Sequence, residues 1–290
     1  MASRSQGLLI GCLLFISAFA VVAILIAFLF GFSTTFPALG SDRVGLIKIE
    51  GPISNVDAWI DEIEANRTDS SVGAVVLRIN SPGGEVAPSQ ELYNAVTRLQ
   101  QTKPVVASFG SVAASGGYYA AVPADTILAN PGTLTGSIGV IFSFPTAREL
   151  LEKIGLRYEV YKSGDLKDIG SFSRRPSEQD DAVFDALVAD VYDQFVEAVM
   201  EGRGMTRSEV LPLADGRIFS GRQAVEVGLV DGLGDLHQAI LTAASMAGIS
   251  GEPRVVRKAR PLAPIWFLLD DLMRGQLGPL TSPALQYRTR

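Results

Sequence analysis

Runs of aliphatic residues alternate with amphipathic segments through the middle of the chain. The runs at residues 44–49, 74–79, 104–109, 126–129 and 138–141 predict short, largely buried strands. Helical spacing of apolar residues predicts helices at 58–65, 89–101, 115–121, 147–154, 177–201, 207–213, 221–226 and 236–246. Strands that alternate with helices in this way predict one α/β domain, with boundaries at about residues 41–250.

The amino-terminal segment has a different pattern, because residues 8–32 contain no charged side chain. A helix of that length spans about 37 Å, enough to cross a hydrocarbon core of about 30 Å. Residues 1–40 are therefore predicted to hold a short cytoplasmic amino terminus, one transmembrane helix and a linker. Arg4 precedes the apolar segment, which favours a cytoplasmic amino terminus and an external α/β domain.

Two other interpretations of the amino terminus remain open. Residues 18–20 (Ala-Phe-Ala) resemble a signal-peptidase cleavage site, although the apolar run continues well beyond them. Residues 9–12 resemble a lipoprotein cleavage box ending at Cys12, although almost no apolar segment precedes it. An uncleaved signal anchor agrees best with the length of the apolar run.

The last segment, residues 251–290, is predicted to be a separate tail. A basic cluster between residues 254 and 260 precedes an apolar run at 265–269. An amphipathic helix on a membrane surface is one interpretation. A tail that docks on a neighbouring subunit, or one without regular structure, is the alternative.

The composition excludes several classes of function. The chain has 290 residues, a formal net charge of −6 and a pI near 5.0, so no basic surface for nucleic acid is expected. Cys12 is the only cysteine and His237 the only histidine. A disulfide within the chain, a cysteine zinc cluster and any site that needs two imidazoles are therefore excluded.

Two glycine-rich segments follow predicted buried strands and could hold a reaction site. At residues 80–84, the sequence Asn-Ser-Pro-Gly-Gly predicts a turn where a backbone can approach a ligand closely. At Ser115-Gly116-Gly117 a hydroxyl stands at the start of a predicted helix. That serine could be a helix cap, the commoner role, or a nucleophile whose oxyanion binds the Gly116 amide.

A serine nucleophile needs a base, and the residues alone do not identify one. His237 lies at the beginning of a late helix, where a solvent-facing imidazole is the usual outcome. A lysine can act as base if its amine is neutral. Lys167, one of six lysines, lies in a glycine-flanked loop, but Asp165 and Asp168 beside it would oppose a neutral amine if they pointed inward.

Six segments follow one another in a fixed order: LRINSPGG (77–84), AASGGYY (113–119), LTGSIGV (134–140), KSG with KD (162–164 and 167–168), GRIFSG (216–221) and GLVD (228–231). Together they resemble the bacterial signal peptide peptidase (SppA) family in its short, single-copy form. The resemblance extends from about residue 44 to residue 246.

The resemblance implies a crotonase/Clp-protease-like fold of repeated β-β-α units, with 41–250 as a protease domain. It places Ser115 on the family's nucleophile and Lys167 on its general base. Gly84 and Gly116 fall on the two oxyanion-hole positions, and Ser137 falls where a hydroxyl orients the lysine. No metal and no cofactor is implied.

The function implied is that of a membrane-anchored serine endopeptidase that degrades remnant signal peptides. Its implied location is the bacterial inner membrane, with a single span and the protease domain on the periplasmic side. The implied partners are peptide substrates, lipid around the anchor and further copies of the chain, in an octamer whose Ser and Lys come from adjacent protomers.

Three other functions are alternatives to this one. A crotonase-type acyl-CoA enzyme shares the fold, but the membrane anchor, Ser115 and Lys167 disfavour it. A Clp-type protease needs a His-Asp pair, which His237 does not supply. In a non-enzymatic membrane scaffold, Ser115 would only cap a helix and Lys167 would be solvated.

Overall fold

The structure is a computed structural model, and it describes residues 42–257 together with the backbone of residues 284–288. These belong to the second of the two units into which the chain divides, Ser41–Arg290. The predicted anchor at residues 8–32 and the apolar run at 265–269 lie outside the described residues. Within the described part, none of the helices combines the length and apolarity needed to cross a bilayer.

The strands and helices confirm the predicted α/β class. The strands are β1 (Arg43–Glu50), β2 (Val72–Ser81), β3 (Gly83–Glu85), β4 (Val105–Ala114), β5 (Thr126–Ala129), β6 (Leu134–Gly136), β7 (Ile141–Ser143), β8 (Ile218–Ser220), β9 (Gly232–Leu233), β10 (Arg254–Val256) and β11 (Ala284–Arg288). The helices are α1 (Asp57–Thr68), α2 (Val86–Gln100), α3 (Gly116–Ala121), α4 (Arg148–Lys153), α5 (Glu178–Arg203), α6 (Arg207–Val210), α7 (Gly221–Glu226) and α8 (Leu236–Met246). Two 3₁₀ helices cover Asp165–Asp168 and Leu211–Leu213.

A parallel sheet forms the centre of the fold, with the strand order β10-β1-β2-β4-β5-β9. β6 pairs with the end of β4, and β8 pairs antiparallel with β6. A second, antiparallel sheet has the order β3-β11-β7. The carboxyl end of β4 therefore meets β6, at the place where the chain enters α3.

Both faces of the parallel sheet are buried, which explains the nearly continuous apolar runs in its strands. On β2, Val75, Leu77 and Ile79 belong to the large core that includes residues of α1, α2 and α3. The alternate residues, Ala74 and Val76, belong to a smaller core against α8. A parallel strand covered on both sides needs apolar side chains at successive positions, and β2 has them.

The helix boundaries follow local signals. At the start of α5, the Ser177 hydroxyl accepts a hydrogen bond from the Asp180 N–H, and the Asp180 carboxylate accepts one from the Ser177 N–H. Gly204, with a φ of 62°, ends the same helix in the left-handed conformation. The predicted helix at 207–213 is α6 followed by a 3₁₀ turn, because Pro212 cannot continue the hydrogen-bond ladder.

Two predictions of local structure are wrong. Residues 80–84 are not a turn, because β2 continues through Ser81 and β3 begins at Gly83. The strand predicted at 138–141 is displaced, and β6 and β7 lie on either side of an irregular segment. Gly136 and Ser137 have φ values of 78° and 50°, which turn the chain out of the extended conformation between those strands.

Candidate active site

Ser115 lies at the junction between β4 and α3, in a conformation unusual for a residue with a side chain. Its φ is 55° and its ψ is −122°. Its N–H donates to the Gly136 carbonyl at 2.8 Å, and its own carbonyl accepts from the Tyr119 N–H at 2.8 Å. A backbone of this kind costs about 1–3 kcal/mol and is typical of functional sites, where the surrounding structure holds it in place.

The Ser115 hydroxyl is buried and does not cap α3. The residue is 1% exposed, and its Oγ has no hydrogen-bond partner among the described residues. The alternative that this side chain caps the helix is therefore wrong, since no N–H of α3 donates to it. A buried hydroxyl without a partner costs about 1–3 kcal/mol, so packing and stability alone do not explain a serine here.

Gly84 lies in β3, so close to Ile53 that only glycine fits. The Ile53 N–H donates to the Gly83 carbonyl at 3.0 Å, and the Glu85 N–H donates to the Ile53 carbonyl at 2.8 Å. A Cβ on Gly84 would lie 2.0 Å from the Ile53 carbonyl oxygen. Successive peptide groups of a strand point in opposite directions, so the N–H of Gly84 faces the other edge of β3, where β11 pairs.

Gly116 brings the second amide beside the first. It is the first residue of α3, so its N–H has no acceptor within the helix. A Cβ on Gly116 would lie 3.3 Å from the Gly84 nitrogen and 2.4 Å from the Ser89 Oγ. The Ser89 hydroxyl in turn donates to the Glu85 carbonyl at 2.7 Å. The backbones of Gly84 and Gly116 therefore meet directly next to Ser115.

Ser137 is held next to the same junction by the backbone of β6. It follows Gly136, whose carbonyl accepts the hydrogen bond from the Ser115 N–H. Its φ is 50°, it is 7% exposed, and its N–H donates to the Arg217 carbonyl at 2.8 Å. The structure thus brings four of the five predicted site residues together: Ser115, Gly84, Gly116 and Ser137.

Lys167 is the predicted site residue that does not join this group through a hydrogen bond. It lies exposed on the 3₁₀ helix Asp165–Asp168, where its N–H donates to the Gly164 carbonyl at 3.1 Å. Since the Ser115 Oγ has no hydrogen-bond partner among the described residues, it is not bonded to the Lys167 amine. His237 is exposed at the start of α8, which covers the opposite sheet face from α3.

The carboxylate next to Lys167 is already paired. One Asp168 oxygen contacts the Arg174 guanidinium and the Lys162 amine, each at 2.9 Å. Hydrogen bonds from Arg174 and then Lys162 lower the pKa of Asp168 to about 2. Asp168 is therefore ionised at neutral pH, and it contacts two cations.

Asn80 and Ser81 support the site, and neither was predicted to do so. The Asn80 Oδ1 accepts hydrogen bonds from the N–H groups of Ser111 and Val112 at 3.1 and 3.2 Å. The Ser81 Oγ accepts from the Gly83 N–H at 3.1 Å. The contacts of Asn80 lie where the register of β2 and β4 shifts. The sequence signal for these two residues is the polar pair before Pro82, a pattern that also predicts a turn.

Comparison with known proteins gives a family match over residues 97–250, to peptidase family S49. The Synechocystis sp. protein slr0021, provisionally named a protease, is 48% identical over 176 residues, 61% of this chain and 64% of that protein. An Enterococcus faecium protein provisionally named signal peptide peptidase SppA is 41% identical over 187 residues, 64% of this chain and 54% of that protein. Protease 4 of Haemophilus influenzae is 34% identical over 211 residues, 69% of this chain and 34% of that protein.

These alignments span between about a third and two thirds of the relatives' own lengths. The family match contains Ser115, Ser137 and Lys167, whereas Gly84 lies before it. It confirms the resemblance inferred from the motifs.

Proposed function

This chain belongs to peptidase family S49, and we propose that it is a serine endopeptidase with Ser115 as nucleophile and Lys167 as general base. The observation that carries the proposal is the buried hydroxyl of Ser115, which lies at a positive φ beside two glycine amides and has no hydrogen-bond partner in the described part of the chain. The strained backbone at Ser115 places its hydroxyl next to backbone N–H donors. Those donors can bind the oxyanion that forms when the hydroxyl oxygen attacks a carbonyl.

The proposed reaction is acyl transfer to Ser115. The neutral Lys167 amine takes the hydroxyl proton as Oγ attacks a peptide carbonyl, and the N–H groups of Gly84 and Gly116 bind the oxyanion. The protonated lysine then gives its proton to the leaving amine, and an acyl-enzyme remains. Water, deprotonated by the same lysine, hydrolyses the ester and restores Ser115.

The dyad of this proposal forms between two copies of the chain. Ser115 is buried and Lys167 exposed, so the amine is available to a site on a neighbouring molecule. Large exposed apolar side chains lie in the segment that leads to Lys167: Leu150, Ile154, Leu156, Tyr158, Val160 and Tyr161. Apolar surface of this extent is typical of an interface between subunits. The number eight for the assembly rests on the resemblance alone.

An extended peptide is the substrate form that the site suits. β11 pairs antiparallel with β3, with Tyr287 opposite Gly84, and its other edge pairs with β7. The edge that carries the proposed oxyanion donor thus accepts an extended chain between two strands. Recognition by strand addition uses backbone hydrogen bonds, which every peptide offers whatever its sequence.

β11 and a substrate peptide would then compete for the same edge of β3. We expect deletion of residues 284–290 to lower KM for a peptide substrate by about tenfold, since a tethered strand competes at high effective concentration. A synthetic peptide with the sequence of residues 284–290 should inhibit the truncated protein competitively. Initial-rate kinetics measure both effects. An unchanged KM, together with no inhibition by the peptide, would contradict this use of the edge.

Gly84→Ala is expected to lower kcat/KM by about 10²–10³-fold, the cost of losing one oxyanion donor. The added Cβ would lie 2.0 Å from the Ile53 carbonyl oxygen, so β3 must shift and carry its amide away from Ser115. Gly132→Ala is the matched control, because a Cβ there meets nothing within 4 Å. Circular dichroism melting shows whether each variant is folded. A folded Gly84→Ala protein with the activity of the unmodified chain would contradict the assignment.

The proposal also covers the substrate, the location of the protein and the fold family. The uncharged segment at residues 8–32 supports a membrane anchor with the protease domain on the periplasmic side. Remnant signal peptides, which carry apolar stretches of about 7–15 residues, would be left in that membrane. The order β2, β3, α2 supports the β-β-α unit of a crotonase/Clp-protease-like fold.

The full-length protein in liposomes tests this proposal. It is incubated with a peptide that contains an apolar stretch, a polar peptide of equal length and an acyl-CoA thioester, and the products are identified by mass spectrometry. We expect the apolar peptide to be cleaved, with an acyl adduct on Ser115 at early times. Hydrolysis of the thioester alone would favour acyl-CoA chemistry, and no reaction with any of them would favour a scaffold.

A further inference from the structure

Four charged side chains join the Lys167 segment to the start of α5, and the reaction proposed above assigns none of them a role. Asp168 contacts Lys162 and Arg174, and Arg174 also contacts both carboxylate oxygens of Asp180, at 3.1 Å on one of them. Arg174 therefore bridges the carboxylate next to Lys167 and a carboxylate of the long helix. The two cations balance the two carboxylates.

The helical end of this bridge is rigid. Asp180 is 1% exposed, and its carboxylate caps the first turn of α5 by accepting from the Ser177 N–H at 2.9 Å. Hydrogen bonds from Arg174 and Ser177 hold the pKa of Asp180 well below its usual range. Arg174 is thus anchored to a helix of 26 residues, and it holds Asp168 at a defined place relative to that helix.

The other end is a short, tightly turned segment. The Lys167 N–H donates to the Gly164 carbonyl at 3.1 Å, and the Ser171 N–H donates to the Asp168 carbonyl at 3.0 Å. Lys162 also reaches back into the turn, since its amine donates to the Asp165 carbonyl at 2.8 Å. The position of Lys167 is therefore set together with that of its neighbour Asp168.

We propose that Arg174 is a positioning residue for Lys167, because it holds the adjacent Asp168 carboxylate in an ion pair that balances its charge. The inference rests on the proposed function, in which that amine acts as a base. A base must be neutral to take a proton from Ser115. An unpaired carboxylate close to an amine favours the charged ammonium form, whereas a carboxylate balanced by a cation does so much less.

The other charged groups around this segment are the same in the Arg174 and Asp168 variants below. They include Asp165 on the same 3₁₀ helix, the pairs Arg148–Glu152 and Glu149–Arg175 on and beside α4, and Glu178 and Asp181 in the first turn of α5. Any change in the titration of Lys167 between the variants can therefore be assigned to Arg174 and Asp168.

The test is the pH dependence of kcat/KM, because its acid limb reports the essential base of the free enzyme. Activity rises with pH as the lysine loses its proton, so a higher lysine pKa moves this limb to higher pH. Arg174→Gln removes one of the two cations that contact Asp168, and it should move the limb up by about 0.5–1 pH unit. Asp168→Asn removes one of the two carboxylates that balance Lys162 and Arg174, and it should move the limb down by a similar amount. The double variant should return close to the unmodified protein.

Arg175→Gln is the matched control, since Arg175 is the next residue and also pairs with a carboxylate, on Glu149. Both partners of that pair are well exposed, at 69% and 65%, so its loss should leave the profile unchanged. Arg174→Lys keeps a cation and should stay near the original profile. If Arg174→Gln does not fold, the Asp168→Asn profile alone tests the inference: a shift to lower pH supports it, and a shift to higher pH or no shift contradicts it.

Opposite shifts that cancel in the double variant support the inference. Lower kcat without a shift, or shifts in the same direction for both single variants, would overturn it, because that is the result of a purely structural role. Lys167→Ala separates the two proposals. If this variant keeps its activity, the proposed base is wrong. If Lys167→Ala is inactive but the pH profiles of Arg174→Gln and Asp168→Asn are not shifted, only the proposed role of Arg174 is wrong.

Discussion

Ser115→Ala is expected to abolish peptide cleavage while leaving the protein folded and assembled. Loss of a serine nucleophile lowers kcat by about 10⁵–10⁶-fold, and the residual rate comes from binding and the oxyanion donors. The buried Oγ has no partner among the described residues, so its removal breaks no hydrogen bond there. The melting temperature should therefore stay the same or rise, as is common when a strained functional residue is replaced.

Ser111→Ala is the control for this experiment, because Ser111 is an exposed serine of the same strand, β4. It should keep full activity. Cleavage is followed with a fluorogenic peptide, and assembly by light scattering. Activity retained in Ser115→Ala would mean that the nucleophile lies elsewhere, and a large fall in its melting temperature would mean that the serine has a structural role after all.

Lys167→Ala is expected to lower kcat/KM by about 10⁴-fold or more, since a general base contributes about 10²–10⁴-fold and acts as a unit with its nucleophile. The side chain is exposed, so stability should be nearly unchanged. Lys153→Ala, at an exposed lysine of α4, is the matched control and should remain fully active.

A mixture of the two inactive variants tests whether the dyad forms between copies. Each mixed assembly contains contacts in which an intact Ser115 of one chain faces an intact Lys167 of the next. Random mixing in equal amounts places both intact residues at about a quarter of the sites, so about a quarter of the activity should return. If neither mixing nor co-expression restores activity while the variants co-assemble, a dyad within one chain is favoured.

The predicted α/β class was correct because it depends on local patterns. Buried parallel strands such as β2 require apolar residues on both faces, and the run at residues 74–79 shows that requirement directly. The start of α5 was also predictable, since Ser177 precedes a polar first turn. In both cases the physical cause lies within a few residues of its effect.

β3 could not be predicted in this way. Residues 83–85 contain two glycines and no β-branched residue, which is the opposite of a strand pattern. They form a strand because Ile53 and β11, distant in the sequence, supply hydrogen-bond partners on both edges. The bonds that Asn80 makes to Ser111 and Val112 depend on the same kind of distant pairing.

The α/β class and the peptidase family could both be predicted from the amino-acid sequence, because they follow from local periodicity and from motifs in a fixed order. The helix-cap role of Ser115, in contrast, could be excluded only from the tertiary structure. A helix cap and a nucleophile have the same sequence signature, and they differ in a backbone angle that β4, β6 and α3 impose together. The ion pair between Asp168, next to Lys167, and Arg174 was likewise visible only in the structure. Ion pairs of this kind form between side chains that the fold brings together.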